Sequence, residues 1–178
     1  MNVRWLIPIG AGAAAVVQVA QATQYLSVAQ AQRAAFPAAT SFVAMSVPLD
    51  AATHAAIGAP PDWTPYVWQA RSDGGKLGWF MLDRVIGKSE LITYAVALDA
   101  HGAVSSVEVL DYRESHGGEI RLPAWRRQFV GKTAQDTVAL NRDIRNISGA
   151  TLSCRHVTDG VHRLLQVYAR VLAHGRGQ

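Results

Sequence analysis

A single cysteine, Cys154, stands among 178 residues, so no disulfide can form within the chain. The fold must rest on its apolar core, which a chain of this length can supply. Charged residues make up only 17 % of the sequence, and the formal net charge is +4. The arginines are scattered rather than gathered into a stripe, and no nucleic-acid module is present, which sets nucleic acid aside. Other missing patterns narrow the chemistry. Without a Gly-rich dinucleotide fingerprint, the chain is not expected to take hydride from a nicotinamide cofactor itself. His156 and His162 are six residues apart, hence on different faces of a helix, and with Cys154 they make no zinc pattern. Ser148-Gly149 lacks the strand-turn-helix setting of a hydrolase nucleophile. No catalytic or metal-ligating residues are expected, and Cys154 reads as a small packing residue.

Charge is also absent from one long stretch: nothing charged lies between Arg4 and Arg33. Within it, "WLIPIGAGAAAVVQVA" runs apolar from Trp5 to Ala20, and Ala20-Gln21-Ala22 fits a small-x-small cleavage rule. The run is shorter than the ~20 residues that span a bilayer, and Pro8 and Gln18 interrupt it. Residues 1–22 are therefore expected to be a secretory signal, with an uncleaved anchor as the second reading. Either places the remainder in the periplasm or attached to the membrane on its periplasmic side.

Beyond the leader, two further parts are expected, 23–65 and 66–178. Ser27 is a plausible N-cap, Val28, Ala31, Gln32 and Ala35 recur at helical spacing, and Pro37 stops the run. Val47 to Pro65 is rich in Ala, Pro and Gly and reads mostly as connection, with room for one short helix around Ala51 to Ile57. From Tyr66 the period changes to two. "YVWQARS", "KLGWFMLDRVIG", "ELITYAVALD" and "AVSSVEVLDY" are β-rich runs separated by short turn signals, which predicts a four-stranded antiparallel meander. In the last run Val107 and Val109 alternate with Ser106, Glu108 and Leu110, which suggests one buried and one more exposed face. A loop follows from Glu114 to Pro123, then a short helical piece from Ala124 to Phe129 ending at Gly131. Val157, Val161, Leu164, Leu165, Tyr168, Val171 and Leu172 keep one face of a long amphipathic helix from about Leu152 to Ala173, ended by Gly175. The predicted class is α+β, an antiparallel sheet with packed helices.

The residues ahead of that last helix raise the functional question. Ser148, Gly149, Ala150, Thr151 and Ser153 combine bare backbone with three hydroxyls. A helix start presents unpaired N–H groups and a positive dipole end, where an anion gains about 0.3–1 kcal/mol, or up to ~2 kcal/mol when partly buried. The stretch is thus a good phosphate seat, although a loop ending in an ordinary Ser/Thr cap would use the same residue types.

Ser148-Gly149-Ala150-Thr151, followed by a helix, resembles the S/T-G-A-T signature of the FMN-binding domain family. That domain is found in the G subunit of Rnf complexes, in the C subunit of the sodium-pumping NADH:quinone reductase and in small exported flavoproteins. Glu114-Ser115-His116-Gly117-Gly118 and Gln128-Phe129-Val130-Gly131-Lys132 match two further family elements in the same order. The resemblance extends over roughly Tyr66 to Leu172. It implies FMN as the cofactor, joined through its phosphate to the hydroxyl of Thr151. It also implies a partner, a Mg-dependent flavin transferase that makes the phosphoester from FAD with AMP leaving. Ser148, Gly149, Ala150 and Ser153 would adjoin the phosphate, and Glu114, Ser115, Gly117 and Gly118 would lie near the ring or the phosphate. The chain departs from the family at Arg145, where an Asp is common (Asp143 lies two residues earlier), and at Ser-His-Gly-Gly, where relatives often have Thr-Pro-Gly-Leu.

Around such a flavin, His116 can donate to a reduced ring, and Trp79, Trp125 and Tyr112 are candidates to stack on it. Lys132, Arg126 and Arg127 can neutralise phosphate or form a solvated basic face. The resulting expectation is an exported electron-transfer flavoprotein, an electron carrier or subunit of a membrane redox chain more than an autonomous enzyme. Its partners would be membrane-bound electron donors and acceptors. The alternatives are a flavin-free periplasmic binding or assembly module, and a small reductase holding FMN noncovalently.

Overall fold

A computed structural model describes residues 23–174 of the chain; the leader and Gly175, the expected end of the last helix, lie outside them. Six antiparallel strands form one sheet in the order β1-β6-β5-β4-β3-β2. The expected meander is its centre: β3 (Tyr66–Ser72), β4 (Gly75–Ile86), β5 (Leu91–Asp99) and β6 (Val104–Tyr112). Two strands that the sequence did not announce sit at the edges, β1 (Thr23–Gln24) against β6 and β2 (Ser41–Met45) against β3. Between them in the chain comes α1 (Val28–Ala35), opened by a Ser27–Gln30 capping box, and after β2 comes α2 (Ala51–Ile57), capped by Asp50. After β6 the chain makes a 3-10 turn (Gly118–Arg121), α3 (Pro123–Arg126) and a second 3-10 turn (Arg127–Phe129). It closes with α4 (Thr151–Val167), which runs into a π-turn (Tyr168–Leu172). Among the described residues no helix is long and apolar enough to cross a membrane.

Alternation within β5 decides which helix covers which side of the sheet. Tyr94, Val96 and Leu98 belong to the large core under α4, with Met81, Val107 and Val109. Ala95 and Ala97 point the other way, with Phe80, Leu82 and Leu110, into a smaller core under Ala31 and Phe36. The second face is therefore covered too, and Leu110, expected on the more exposed side, is 3 % exposed. Small residues there let the short helix α1 and Phe36 lie close.

Helix α4 reaches the sheet through one glycine. A Cβ at Gly160 would sit 2.0 Å from the Tyr94 hydroxyl. That hydroxyl donates to Asp83 Oδ2 at 2.7 Å, while Trp63 Nε1 donates to Oδ1 at 2.9 Å. Both oxygens of this buried carboxylate are thus satisfied, as burial requires. Burial, then the charge of Asp83, pushes the Tyr94 phenol well above its ordinary range. At its N-terminal end α4 is held by His156, whose Nδ1 faces the carbonyl oxygens of Ile86 and Gly87, the latter at 3.0 Å. At its other end the Tyr168 ring lies over Gly102, where a Cβ would collide with it.

The segment between Val130 and Ala150 has almost no regular structure, and Asp143 organises it. Its carboxylate accepts N–H bonds from Val138 (3.1 Å) and Ala139 (2.7 Å) and pairs with Lys132 at 2.8 Å. Desolvation alone would raise this carboxyl, but the Ala139 N–H and Lys132 outweigh it and lower it from 3.8 to about 2.

Two outcomes follow from these contacts. Gly160→Ala gains ~1 kcal/mol of helix propensity but forces a Cβ into the Tyr94 hydroxyl. It should therefore destabilise the protein by about 1–3 kcal/mol in denaturant unfolding. Asp143 has a folded value below its unfolded one, so its contribution is complete above 3.8 and is lost as pH falls towards about 2. Asp143→Asn should accordingly be less stable than the parent near neutral pH, with the gap closing on acidification in urea-unfolding midpoints.

Candidate functional site

Three segments converge at one end of the sheet. The register pairs Ile86 with Leu91 and Ile92 with Tyr112, which sets the β4–β5 turn beside the loop that leaves β6. His156 ties the start of α4 to the same turn. Together they enclose an open cleft of about 850 Å³, within the usual range of about 300–1,000 Å³ for small-molecule sites.

All nine residues singled out from the sequence line this cleft: Glu114, Ser115, Gly117 and Gly118 on one wall, and Ser148, Gly149, Ala150, Thr151 and Ser153 on another. His116 is there as well. Nothing in the sequence pointed to Lys88, Ser89, Glu90, Arg113, Glu119 and Leu152, which complete the lining. Lys88 to Glu90 read only as a hairpin turn; strand register, not local pattern, brings them to the site.

Helix α4 starts without an ordinary cap. Its N-cap is Ala150, no side chain caps its first N–H groups, and its first turn carries no acidic residue. Two of the three candidate hydroxyls have partners: Thr151 Oγ accepts from Asn146 Nδ2 at 2.9 Å, and Ser153 Oγ meets Tyr112 Oη at 3.2 Å. The N–H groups of Thr151, Leu152 and Ser153 have no carbonyl one turn back within the helix, and all three residues line the cleft.

Two glycines shape the walls for different reasons. Gly149 has φ +84, and a Cβ there would meet nothing within 4 Å, so glycine serves the left-handed turn and leaves the space beside it open. Gly117, also at φ +84, has no room at all: a Cβ would lie 2.8 Å from Tyr112 Oη and 3.0 Å from Ala150 Cβ. This contact locks the 113–118 loop against the start of α4. Tyr112 Oη completes the lock by donating to the His116 carbonyl oxygen. Burial, opposed by the Ser153 contact, raises the Tyr112 phenol.

Glu114 is an internal anion. One of its oxygens, Oε1, accepts the N–H groups of Lys88, Ser89 (2.5 Å) and Glu90 (2.8 Å). Desolvation pushes its carboxyl up, but these three donors and the nearby Lys88 charge hold it below its ordinary value. Its negative charge is thus spent on the β4–β5 turn. Arg113 pairs with Asp111 at 2.9 Å, and Ser115 Oγ lies 3.0 Å from His116 Nδ1.

Other residues considered from the sequence lie elsewhere. Trp79, Trp125 and Tyr112 are buried in the large core and are not part of the cleft lining. Lys132 is paired with Asp143, and Arg126 with Glu108 and the Val107 carbonyl; neither these two nor Arg127 borders the cleft. The Gln128-Phe129 element is a brace. Gln128 Oε1 accepts the Arg145 N–H at 2.8 Å, Trp125 Nε1 donates to the Arg145 carbonyl at 2.8 Å, and Phe129 packs edge-on against Trp125. It fixes the backbone immediately before Asn146 and the small residues.

Comparison with known proteins bears on this end of the molecule. Residues 87–166 match the model of the FMN-binding domain family. The match is shorter than the Tyr66–Leu172 resemblance but includes every residue of the cleft lining. A curated relative is the G subunit of the Na+-translocating ferredoxin:NAD+ oxidoreductase complex of Acetobacterium woodii. It is 24 % identical over 112 residues, 57 % of this chain and 54 % of the relative, so the chain spans about half that protein's length. Over residues 87–166 the chain thus resembles the FMN-binding domain family, as its three motifs indicated.

Proposed function

We propose that this protein is an exported electron-transfer flavoprotein that carries FMN in the cleft, joined by a phosphoester to Thr151. The observation that carries the reading is the uncapped start of α4, opening on a cleft with Thr151 exposed at its edge. The donor set fits a phosphate. Three backbone N–H groups and the Ser148 hydroxyl are the kind of partners that phosphate oxygens take at a helix start. The open space beside Gly149 lets the group approach the backbone. The loop from Glu114 to Gly118 would form the wall along the ring. When bound, the flavin supplies one- and two-electron redox chemistry, while the chain's residues bind, orient and tune it.

Attachment requires a separate flavin transferase acting with Mg2+ on FAD. The bond from Thr151 Oγ to the FMN phosphorus forms as the pyrophosphate P–O bond breaks. AMP leaves with that electron pair, and the hydroxyl proton passes to a base of the transferase. A β-branched Thr has few rotamers, so the attached group would leave the helix start in a defined direction. Electron donors and acceptors are proposed to be proteins of a membrane redox chain. The relative's complex, named for ferredoxin, NAD+ and Na+ translocation, supports that class of partner. The apolar run from Trp5 to Ala20 supports export.

Co-expression with a flavin transferase should yield a yellow protein whose colour survives denaturation and whose intact mass rises by one FMN. Thr151→Ala should abolish the gain. A colourless, unmodified parent chain would sink the proposal and favour a flavin-free binding module, whereas colour lost on denaturation would mean noncovalent FMN.

A further inference from the structure

We propose that Asn146 is a positioning residue for modification at Thr151, an inference that rests on the FMN-attachment reading above. Asn146 Nδ2 donates to Thr151 Oγ at 2.9 Å across five residues of chain. The bond joins two exposed residues, so burial does not demand it; water could satisfy both groups. What makes it a directed contact is the bracing on either side. Arg145 is held through its N–H by Gln128 and through its carbonyl by Trp125, and the Ala150 N–H closes a turn onto the Ile147 carbonyl at 3.0 Å. The Asn146 amide therefore projects from a fixed backbone.

The contact selects one of the two states open to this hydroxyl. A helical Thr divides between two χ1 rotamers because its oxygen can turn back to a carbonyl three or four residues earlier. Donation from Asn146 occupies one Oγ lone pair and holds the oxygen on its own side. The second lone pair and the hydroxyl proton are left for the cleft that Thr151 lines. Attachment needs that disposition: the free pair forms the O–P bond, AMP departs with the pair of the broken P–O bond, and the transferase base takes the proton. The amide's hydrogen bond is to the acceptor oxygen, so its loss should lower turnover of the modification without changing how the two proteins dock.

The test uses the full chain as acceptor for purified flavin transferase with FAD and Mg2+, following FMN gain by intact mass. The acceptors are the parent, Asn146→Ala and Asn146→Asp, the last an isostere whose carboxylate cannot donate. One net hydrogen bond corresponds to roughly a two- to tenfold change. Both variants should be modified more slowly by about that factor, with acceptor KM and unfolding midpoint unchanged. Equal rates for all three acceptors overturn the inference. A rate loss accompanied by a higher KM or a lower midpoint also overturns it, because Asn146 would then serve docking or loop folding. No mass gain by the parent chain overturns the attachment reading and this inference together, a result distinct from a modified parent with unaffected variants.

Discussion

The N–H groups of Thr151, Leu152 and Ser153 lack carbonyls one helical turn back, and the sequence places Ala150 in front of them instead of a capping side chain. Relative to a good cap, such a start costs about 0.5–2 kcal/mol. The helix tolerates this because its stability comes from elsewhere. Val157, Val161, Leu164 and Leu165 are fully buried, and each contributes roughly 1.5–3 kcal/mol. Position is fixed separately, by Gly160 against Tyr94 in the middle and His156 against the β4–β5 turn. Burial, placement and the free donors are thus assigned to different residues of one helix, so the start can stay open without loosening the rest.

The cleft contains two rows of backbone donors, and only one is free. The row in the β4–β5 turn is filled by the Glu114 carboxylate, which its three N–H bonds keep ionised at neutral pH. A phosphate at that turn would compete with a tethered anion and meet its charge. The row at the start of α4 has no such occupant, and its first turn carries no acidic side chain. Glu114 therefore does more than brace the turn. By occupying one donor row, it leaves the other, beside Thr151, as the row without a side-chain acceptor.

What the sequence revealed and what it hid follow from the range of the interactions involved. The meander, α1 with its Ser27 cap, α2 and the long helix were legible because period and capping are local signals. β1 and β2 were not, because two- and five-residue edge strands carry too little pattern and take their conformation from β6 and β3. Two walls of the cleft consist of residues that the family resemblance had singled out. Its third side does not: Lys88, Ser89 and Glu90 reach it through strand register. The basic residues misled for a related reason. Lys132 and Arg126 find their carboxylates at Asp143 and Glu108, eleven and eighteen residues away in the chain, beyond the reach of local charge patterning.

Magnitudes favour a covalent link over a merely bound flavin. An anion at a helix start gains at most ~2 kcal/mol from the dipole, whereas micromolar affinity requires about 8.2 kcal/mol. A flavin site ordinarily makes up such a shortfall with apolar and aromatic walls. Here no Phe, Tyr or Trp among the described residues lines the cleft, and Leu152 is its one large apolar side chain. A site of that strength stands mostly empty wherever free flavin lies below its dissociation constant. The proposed ester removes the dependence on concentration, because capture becomes intramolecular. Under that proposal an open cleft with a weak phosphate seat is sufficient, since the donors at the start of α4 would need only to orient a cofactor that the proposed Thr151 bond would retain.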